Sequence, residues 1–209
     1  MKKYKVFSIT FFFAIITIYS TAQEFGGGLI AGVSTSQVAG DELGGFNKIG
    51  IMAGGFTFRK VRKNLKLQFE IIYIEKGSRN PNIYNDDHDH YNKPEITLSY
   101  IEIPFTINLQ QKENLEIEIG ILPAYKINDS WNNIHKDNID VPSPEYERYD
   151  IGFCAGIKYY LNQRLLLNTR ISNSVLPIRA HNSGATYGLN LGQYNTVLSF
   201  SIHYIFQKK

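Results

Sequence analysis

The stretches LKLQFEIIYIEKGSR, residues 65–79, and ITLSYIEIPFTINL, residues 96–109, decide the fold of this chain. In both of them apolar and polar side chains alternate, which is the period of a β-strand whose two faces meet different surroundings. The polar residues 77–94 between them predict a long loop. The two stretches are therefore predicted to form an antiparallel hairpin.

Further stretches of the chain repeat this design, and short charged or polar turns near residues 60–64, 111–114 and 162–163 alternate with long polar connections. The strands are longer than the ~5–6 residues typical of soluble sheets and suit a tilted membrane crossing. The pattern predicts an all-β fold, an eight-stranded antiparallel up-and-down transmembrane β-barrel. The predicted strands are residues 24–34, 46–59, 65–76, 95–110, 115–127, 148–161, 164–172 and 194–206.

A soluble eight-stranded barrel that encloses a small ligand, of the lipocalin type, has the same alternation but turns its apolar face inward. Three features favour the membrane barrel over this alternative. Charged residues are spread among small ones on the polar faces, long and short connections alternate strictly, and the last strand ends in aromatic residues. Aromatic residues near the strand ends are predicted to form interfacial girdles, with Phe58, Tyr73, Tyr100, Tyr125 and Tyr149 among their members.

Composition limits the possible classes of protein. The 209 residues fit one domain, and a hydrophobic content of 43% indicates a folded chain. The formal charge of +3 comes with no basic stripe in the sequence, so nucleic acid is not an expected partner. Cys154, the single cysteine, excludes an internal disulfide and a cysteine-based zinc cage, and it is expected to be a buried apolar residue. No cofactor is indicated.

The N-terminus has the features of a secretory signal peptide. A basic start at Lys2, Lys3 and Lys5 precedes an apolar run, and small residues follow it up to Ala22. The apolar run is shorter than the ~20 residues of a membrane-spanning helix, and no cysteine follows that would carry a lipid anchor. The sequence therefore predicts a signal peptide at residues 1–22 and a barrel domain at 23–209, in the outer membrane of a Gram-negative bacterium.

The central hairpin resembles the PorT-like outer-membrane β-barrel family of Bacteroidetes. Gln68, Glu70, Tyr73, Lys76 and Gly77 match a strand of the form Q-x-E-x-x-Y-x-x-K-G. The stretch YIEIP at residues 100–104 matches the Y-L-E-I-P that follows it in the family, while the loop at residues 173–193 departs from the family's plainest members. The resemblance implies an outer-membrane location and an eight-stranded barrel, and some members of the family serve type IX secretion and gliding.

The inward faces of the predicted strands carry charges. Glu70 and Glu102 lie on neighbouring strands and are expected to face the same lumen, where buried charges must be paired. Lys66, Arg59, Lys158 and Arg170 are the available cations. A salt-bridged plug is favoured over a gated polar path, because eight strands enclose only enough space for side chains. The predicted polar network of the lumen consists of Glu70, Glu102, Glu116, Glu118, Lys158 and Arg170.

Two loop motifs offer other chemistry. The sequence DDHDH at residues 86–90 includes His88 and His90, which could hold a divalent metal, but a solvated acidic loop is the favoured interpretation. His181 and Ser183 could act as base and nucleophile of an outer-membrane lipid-modifying hydrolase, although no acidic partner is evident. The expected function is therefore non-enzymatic. The chain is predicted to be a structural or binding component of the envelope, with outer-membrane lipid and other envelope proteins as partners.

Overall fold

The computed structural model describes residues 25–40, 45–79, 95–132, 145–180 and 191–206. These residues form β-strands joined by short turns and by the ends of longer connections. The predicted signal peptide at residues 1–22 lies outside the described residues. The strands are β1 (Phe25–Ala39), β2 (Lys48–Arg62), β3 (Leu65–Arg79), β4 (Glu95–Glu102), β5 (Phe105–Lys112), β6 (Leu115–Asn132), β7 (Tyr149–Tyr160), β8 (Leu165–Ser174) and β9 (Tyr194–Ile205).

The strands close into a barrel in which all neighbours are antiparallel. Each strand pairs with the next in sequence from β5 to β9, and β9 pairs with β1 to close the ring. Strands β4 and β5 are two halves of one wall strand, since both pair with β3 on one side and β6 on the other. The wall therefore has eight strands, and the predicted fold class is confirmed.

The break between β4 and β5 falls at Ile103 and Pro104, within the YIEIP stretch. Proline has no backbone N–H, so a regular ladder is interrupted at this point. Hydrogen bonds on both sides of the break keep the wall closed. The Ile103 amide donates to the carbonyl of Pro123 at 2.8 Å, and the Glu70 amide donates to the carbonyl of Pro104 at 3.0 Å.

Strand β1 is longer than predicted, because it continues past Ser34 to Ala39. The polar residues after Ser34 lie outside the predicted strand, but they continue its alternation, and Ser36 lines the polar interior of the barrel as Ser34 does. The hydroxyl of Ser34 donates to the carbonyl of Glu75 at 2.6 Å, and that of Ser36 to the carbonyl of Gly77 at 3.1 Å. Polar residues are thus compatible with a strand whose inner face is polar.

The two faces of the wall have opposite chemistry. On β6, Ile117, Ile119 and Ile121 are exposed on the outside, whereas Glu116 and Glu118 are buried inside. This arrangement is the inverse of a soluble barrel and matches an outer surface in contact with lipid. Within the described ranges, no helix has the length and apolar character needed to span a membrane.

Two of the predicted girdle aromatics are on the wrong face. Tyr125 and Tyr149 are exposed and pack edge to face with ring centroids 5.4 Å apart, as expected of a girdle. Tyr100 is fully buried in the lumen, and Phe58 packs against the buried core. Strand-end position alone did not indicate the side to which these rings point. Cys154 is buried and free, as predicted.

Candidate functional site: the charged lumen

Nine charged side chains inside the barrel lie in two separate groups. Along the inner face of β3, Gln68 and Glu70 are followed by the apolar Ile72 and Ile74, and then by Lys76. We call the group nearer the short turns the lower cluster, formed by Lys66, Glu70, Glu116, Glu118, Lys158 and Arg170. We call the group nearer the long loops the upper cluster, formed by Lys76, Glu102 and Asp150.

Arg170 on β8 is the centre of the lower cluster. Its guanidinium donates to both carboxylate oxygens of Glu70 on β3, at 2.7 and 3.1 Å. It also donates to both oxygens of Glu118 on β6, at 2.7 and 3.1 Å. Forked contacts of this kind use the planar geometry of arginine and are the strongest class of charged hydrogen bond. Arg170 therefore links three strands across the lumen.

Lys158 on β7 supports the same arrangement. Its ammonium lies 3.0 Å from Glu118 and donates to Asn108 at 2.6 Å and to Gln68 at 3.1 Å. The Gln68 amide in turn donates to Glu70 at 2.6 Å. The three hydrogen bonds that an ammonium can donate are thus used, which is required when a charge is fully buried.

Lys66 completes the lower cluster near the short turns. It forms an ion pair with Glu116, and the Tyr160 hydroxyl donates to the second oxygen of that carboxylate at 3.0 Å. The lower cluster then holds three cations and three carboxylates. Because the charges balance, the cost of removing them from water is offset by their mutual contacts.

Gly156 makes room for the lower cluster. A Cβ atom at this position would lie 2.5 Å from Oε1 of Glu118 and 2.8 Å from the backbone oxygen of Thr169. Both distances are shorter than real Cβ contacts, so a larger residue would displace the carboxylate that Arg170 and Lys158 share. The absence of a side chain at Gly156 is therefore required for the Glu118 carboxylate to keep its position.

The upper cluster has one cation for two carboxylates. Lys76 pairs with Glu102 and lies 3.7 Å from Asp150, and all three side chains are buried. One oxygen of Asp150 accepts from Ser174 at 3.0 Å and from Asn195 at 3.2 Å. Its other oxygen has no hydrogen-bond partner among the described residues. This cluster therefore carries one excess negative charge.

Gly77 positions Lys76 for this contact. Its φ of 141° lies in the region that favours glycine, and a Cβ there would lie 1.9 Å from the backbone oxygen of Ile96. Lys76 and Ser78 continue the inner face of β3, and Gly77 between them is buried as well, since the backbone of β4 lies close against it. The Lys-Gly pair of the sequence motif thus has a structural role that alternation alone did not explain.

The charge imbalance of the upper cluster predicts opposite effects for two neutralising variants. Lys76→Met should lower the free energy of unfolding by about 3 kcal/mol or more, because two buried carboxylates lose their cation. Asp150→Asn should be close to neutral, because it removes the excess charge and keeps the side-chain shape. Urea titration of the refolded barrel in lipid vesicles measures both. Equal losses of stability in the two variants would contradict an excess negative charge in the upper cluster.

The structure places all six predicted lumen residues inside the barrel, but it separates them. Five of them belong to the lower cluster, and Glu102 lies in the upper cluster with Lys76 instead of beside Glu70. Arg59, which was considered as a lumen partner, is exposed on the outer face of β2. Lys76 and Asp150 are part of the network in the structure but are not in the predicted network. Both residues lie on the inner faces of their strands, in the same alternation as the predicted lumen residues, and this pattern could have identified them.

A serine and a histidine meet inside the barrel, at a place that sequence analysis did not identify. Ser201 Oγ and His203 Nε2 are 3.1 Å apart on the inner face of β9. Nδ1 of His203 has no hydrogen-bond partner among the described residues, and both side chains are buried. The pair therefore lacks the orienting acid and the access that nucleophilic catalysis requires.

The loop motifs that suggested other chemistry fall outside the described residues. These are His181 and Ser183 of the hydrolase alternative, and His88 and His90 of the metal alternative. Among the described residues, no group of three or more histidine, cysteine, aspartate or glutamate side chains could hold a metal ion.

A closed antiparallel wall with an apolar outside and a charged, filled inside defines a transmembrane β-barrel protein. Residues 21–178 match the family described as outer membrane protein beta-barrel domain, and the chain belongs to that family. The protein is accordingly located in the outer membrane of a Gram-negative bacterium.

Several solved structures are similar to this chain at low sequence identity. Neisserial surface protein A is 12% identical, with 87% of this chain and 97% of that chain covered and a TM-score of 0.52. Ail of Yersinia pestis is 9% identical, with coverages of 88% and 99% and a TM-score of 0.48. OprG of Pseudomonas aeruginosa is 10% identical, with coverages of 88% and 95% and a TM-score of 0.40. At these identities the likeness concerns the fold alone. A search of curated proteins finds no match.

Proposed function

We propose that this protein is a non-enzymatic structural or binding component of the cell envelope, which acts through its surfaces. The observation that supports this is the lower cluster. Arg170, Glu70, Glu118 and Lys158 bridge the lumen with short contacts and belong to four different strands. Because these contacts cross the lumen, we favour a salt-bridged plug over a gated polar path for solutes. Function is then left to the long loops and to contacts with other envelope proteins.

The closed lumen predicts a low conductance. The refolded protein in planar bilayers should give no resolved single-channel openings, and the Glu102→Gln variant should behave in the same way. Steady openings in the unmodified protein would contradict the plug and favour a gated polar path.

The interaction role is tested by shortening a long loop without disturbing the wall. Arg79 and Glu95 face each other as paired residues of β3 and β4, so a two-residue Asn-Gly turn could replace residues 80–94. Affinity purification from cross-linked envelopes should then lose the proteins that co-purify with the unmodified chain. Heat-modifiable migration on a gel provides the control that the shortened barrel still folds. Unchanged co-purification would place the binding surface elsewhere.

The finer proposal, a PorT-like role beside the secretion or gliding apparatus, is supported by the hairpin motif at residues 68–77 and 100–104. Recovery of components of that apparatus in the same purification would support it. The alternative hydrolase proposal rests on His181 and Ser183. Mass spectrometry of lipid A from cells with and without the gene distinguishes it, since an intact acylation pattern in both would exclude a deacylase.

A further inference from the structure

The end of the barrel that carries the short turns has an excess of exposed positive charge. The turns follow β2, β5 and β7, and Glu113 is the one acidic residue among their described, exposed side chains. Six cations against one anion leave a net charge of +5. We call these cations the basic rim: Arg59, Lys60, Arg62, Lys63, Lys112 and Arg164.

Closure of the barrel brings the three turns side by side. The Gln110 amide donates to the carbonyl of Asn64 at 2.9 Å, which joins the first turn to the second. The Tyr160 amide donates to the carbonyl of Asn114 at 2.9 Å, which joins the second to the third. The cations therefore lie on neighbouring turns at one end of the barrel, although they are far apart in sequence.

The basic rim lies directly beyond the lipid-facing apolar surface. Arg59 is paired across the sheet with Phe25 on one side and Leu67 on the other. Both neighbours are exposed, at 58% and 47%, and point outward with Arg59. An arginine at the edge of the apolar surface can pack its aliphatic chain along that surface and place its guanidinium among the lipid headgroups.

Most cations of the rim also have no ion-pair partner within the described residues. Arg59, Lys60, Arg62, Lys63 and Lys112 form no ion pair with any residue in the described part of the chain. At the loop end some cations are paired within the protein, as in the contacts of Lys126 with Asp129 at 3.0 Å and of Arg79 with Glu95 at 3.8 Å. Within the described residues the rim therefore has an excess of positive charge, which anionic groups outside the protein can offset.

We propose that the basic rim binds the headgroups of anionic phospholipids in the periplasmic leaflet of the outer membrane. Short turns of such barrels face the periplasm, so the rim lies at the level of that leaflet. Basic residues at a membrane surface attract anionic lipid. A soluble periplasmic ligand would approach the turns from the end of the barrel. It would not account for Arg59, which sits on the lipid-facing side.

Native mass spectrometry of the purified full chain tests this proposal. The protein is equilibrated in detergent with equal amounts of phosphatidylglycerol and phosphatidylcholine that have identical acyl chains. The unmodified protein should retain phosphatidylglycerol preferentially. Arg59→Gln with Lys60→Gln should reduce that retention by about tenfold to thirtyfold, at roughly fivefold for each cation removed. Salt at about 0.5 M should abolish the preference.

A matched pair of substitutions at the other end of the barrel is the control. Arg79→Gln with Arg148→Gln removes two cations from the loop end, one half-buried and one exposed, and should leave the preference unchanged. Equal retention of both lipids by the unmodified protein, or equal losses in both double variants, would overturn the proposal. So would co-sedimentation with isolated peptidoglycan that depends on the rim, in the absence of any lipid preference. Heat-modifiable migration verifies that every variant is folded.

Discussion

Replacing Arg170 by methionine should lower the free energy of unfolding of the barrel by about 3–5 kcal/mol, the largest effect expected of any single lumen substitution. The guanidinium has four short contacts with Glu70 and Glu118. Its removal leaves these two buried carboxylates with only the Lys158 ammonium nearby. Urea titration in lipid vesicles, followed by tryptophan fluorescence or by gel mobility, measures the loss.

A double variant separates charge imbalance from simple loss of packing. Arg170→Met with Glu70→Gln restores neutrality, because Glu118 keeps Lys158 at 3.0 Å. The double variant should therefore recover more than half of the lost stability, as a coupling between neighbouring sites. Lys112→Met, on an exposed turn, should change stability by no more than about 0.5 kcal/mol. If Arg170→Met and Lys112→Met unfold at the same urea concentration, the lower cluster does not stabilise the barrel.

Replacing Ile121 by arginine should cost about 2–4 kcal/mol when the protein is folded in a bilayer. Ile121 is on the outer face of β6, between the exposed Phe105 and Phe153 of the neighbouring strands. It lies halfway along the lipid-facing residues of β6, where the hydrocarbon is furthest from water. The free energy of unfolding in phosphatidylcholine vesicles provides the measurement.

Ile127→Arg is the matched control, on the same strand and the same face. Both isoleucines are 50% exposed, so solvent accessibility does not distinguish them. Ile127 lies beyond Tyr125, a girdle residue, and its substitution should cost only about 0–1 kcal/mol because the charge reaches the interface. Similar losses in the free energy of unfolding at the two positions would contradict a lipid-facing surface, on which the cost of a charge depends on depth. They would favour a soluble barrel instead.

Which residues point inward could be predicted well, because a strand has a period of two and each position on it is local information. Glu116, Glu118, Lys158 and Arg170 were assigned to the lumen on this basis, and the structure buries them there. The prediction was less complete for the membership of the network. Lys76 and Asp150 also lie on inner faces, but alternation does not indicate which inward-facing charges meet, and neither is in the predicted network.

The partners of each charge could not be derived in this way. Arg170 meets Glu70 across 100 residues of sequence, and Glu102 meets Lys76 instead of any cation near Glu70. These contacts depend on how far each tilted strand is shifted against its neighbour around the whole ring. The same is true of Tyr100, whose position near a strand end suggested a girdle although its ring fills the lumen.

The sequence by itself determined the wall of this protein: eight alternating strands, short turns at one end, long connections at the other, and most of the residues that point inward. That is so because alternation and turn residues act over a few neighbouring positions. Only the tertiary structure decided the two charged clusters, the excess negative charge of the upper one and the basic rim. Each of these depends on closure and on the stagger between strands, which bring distant residues to the same height in the barrel.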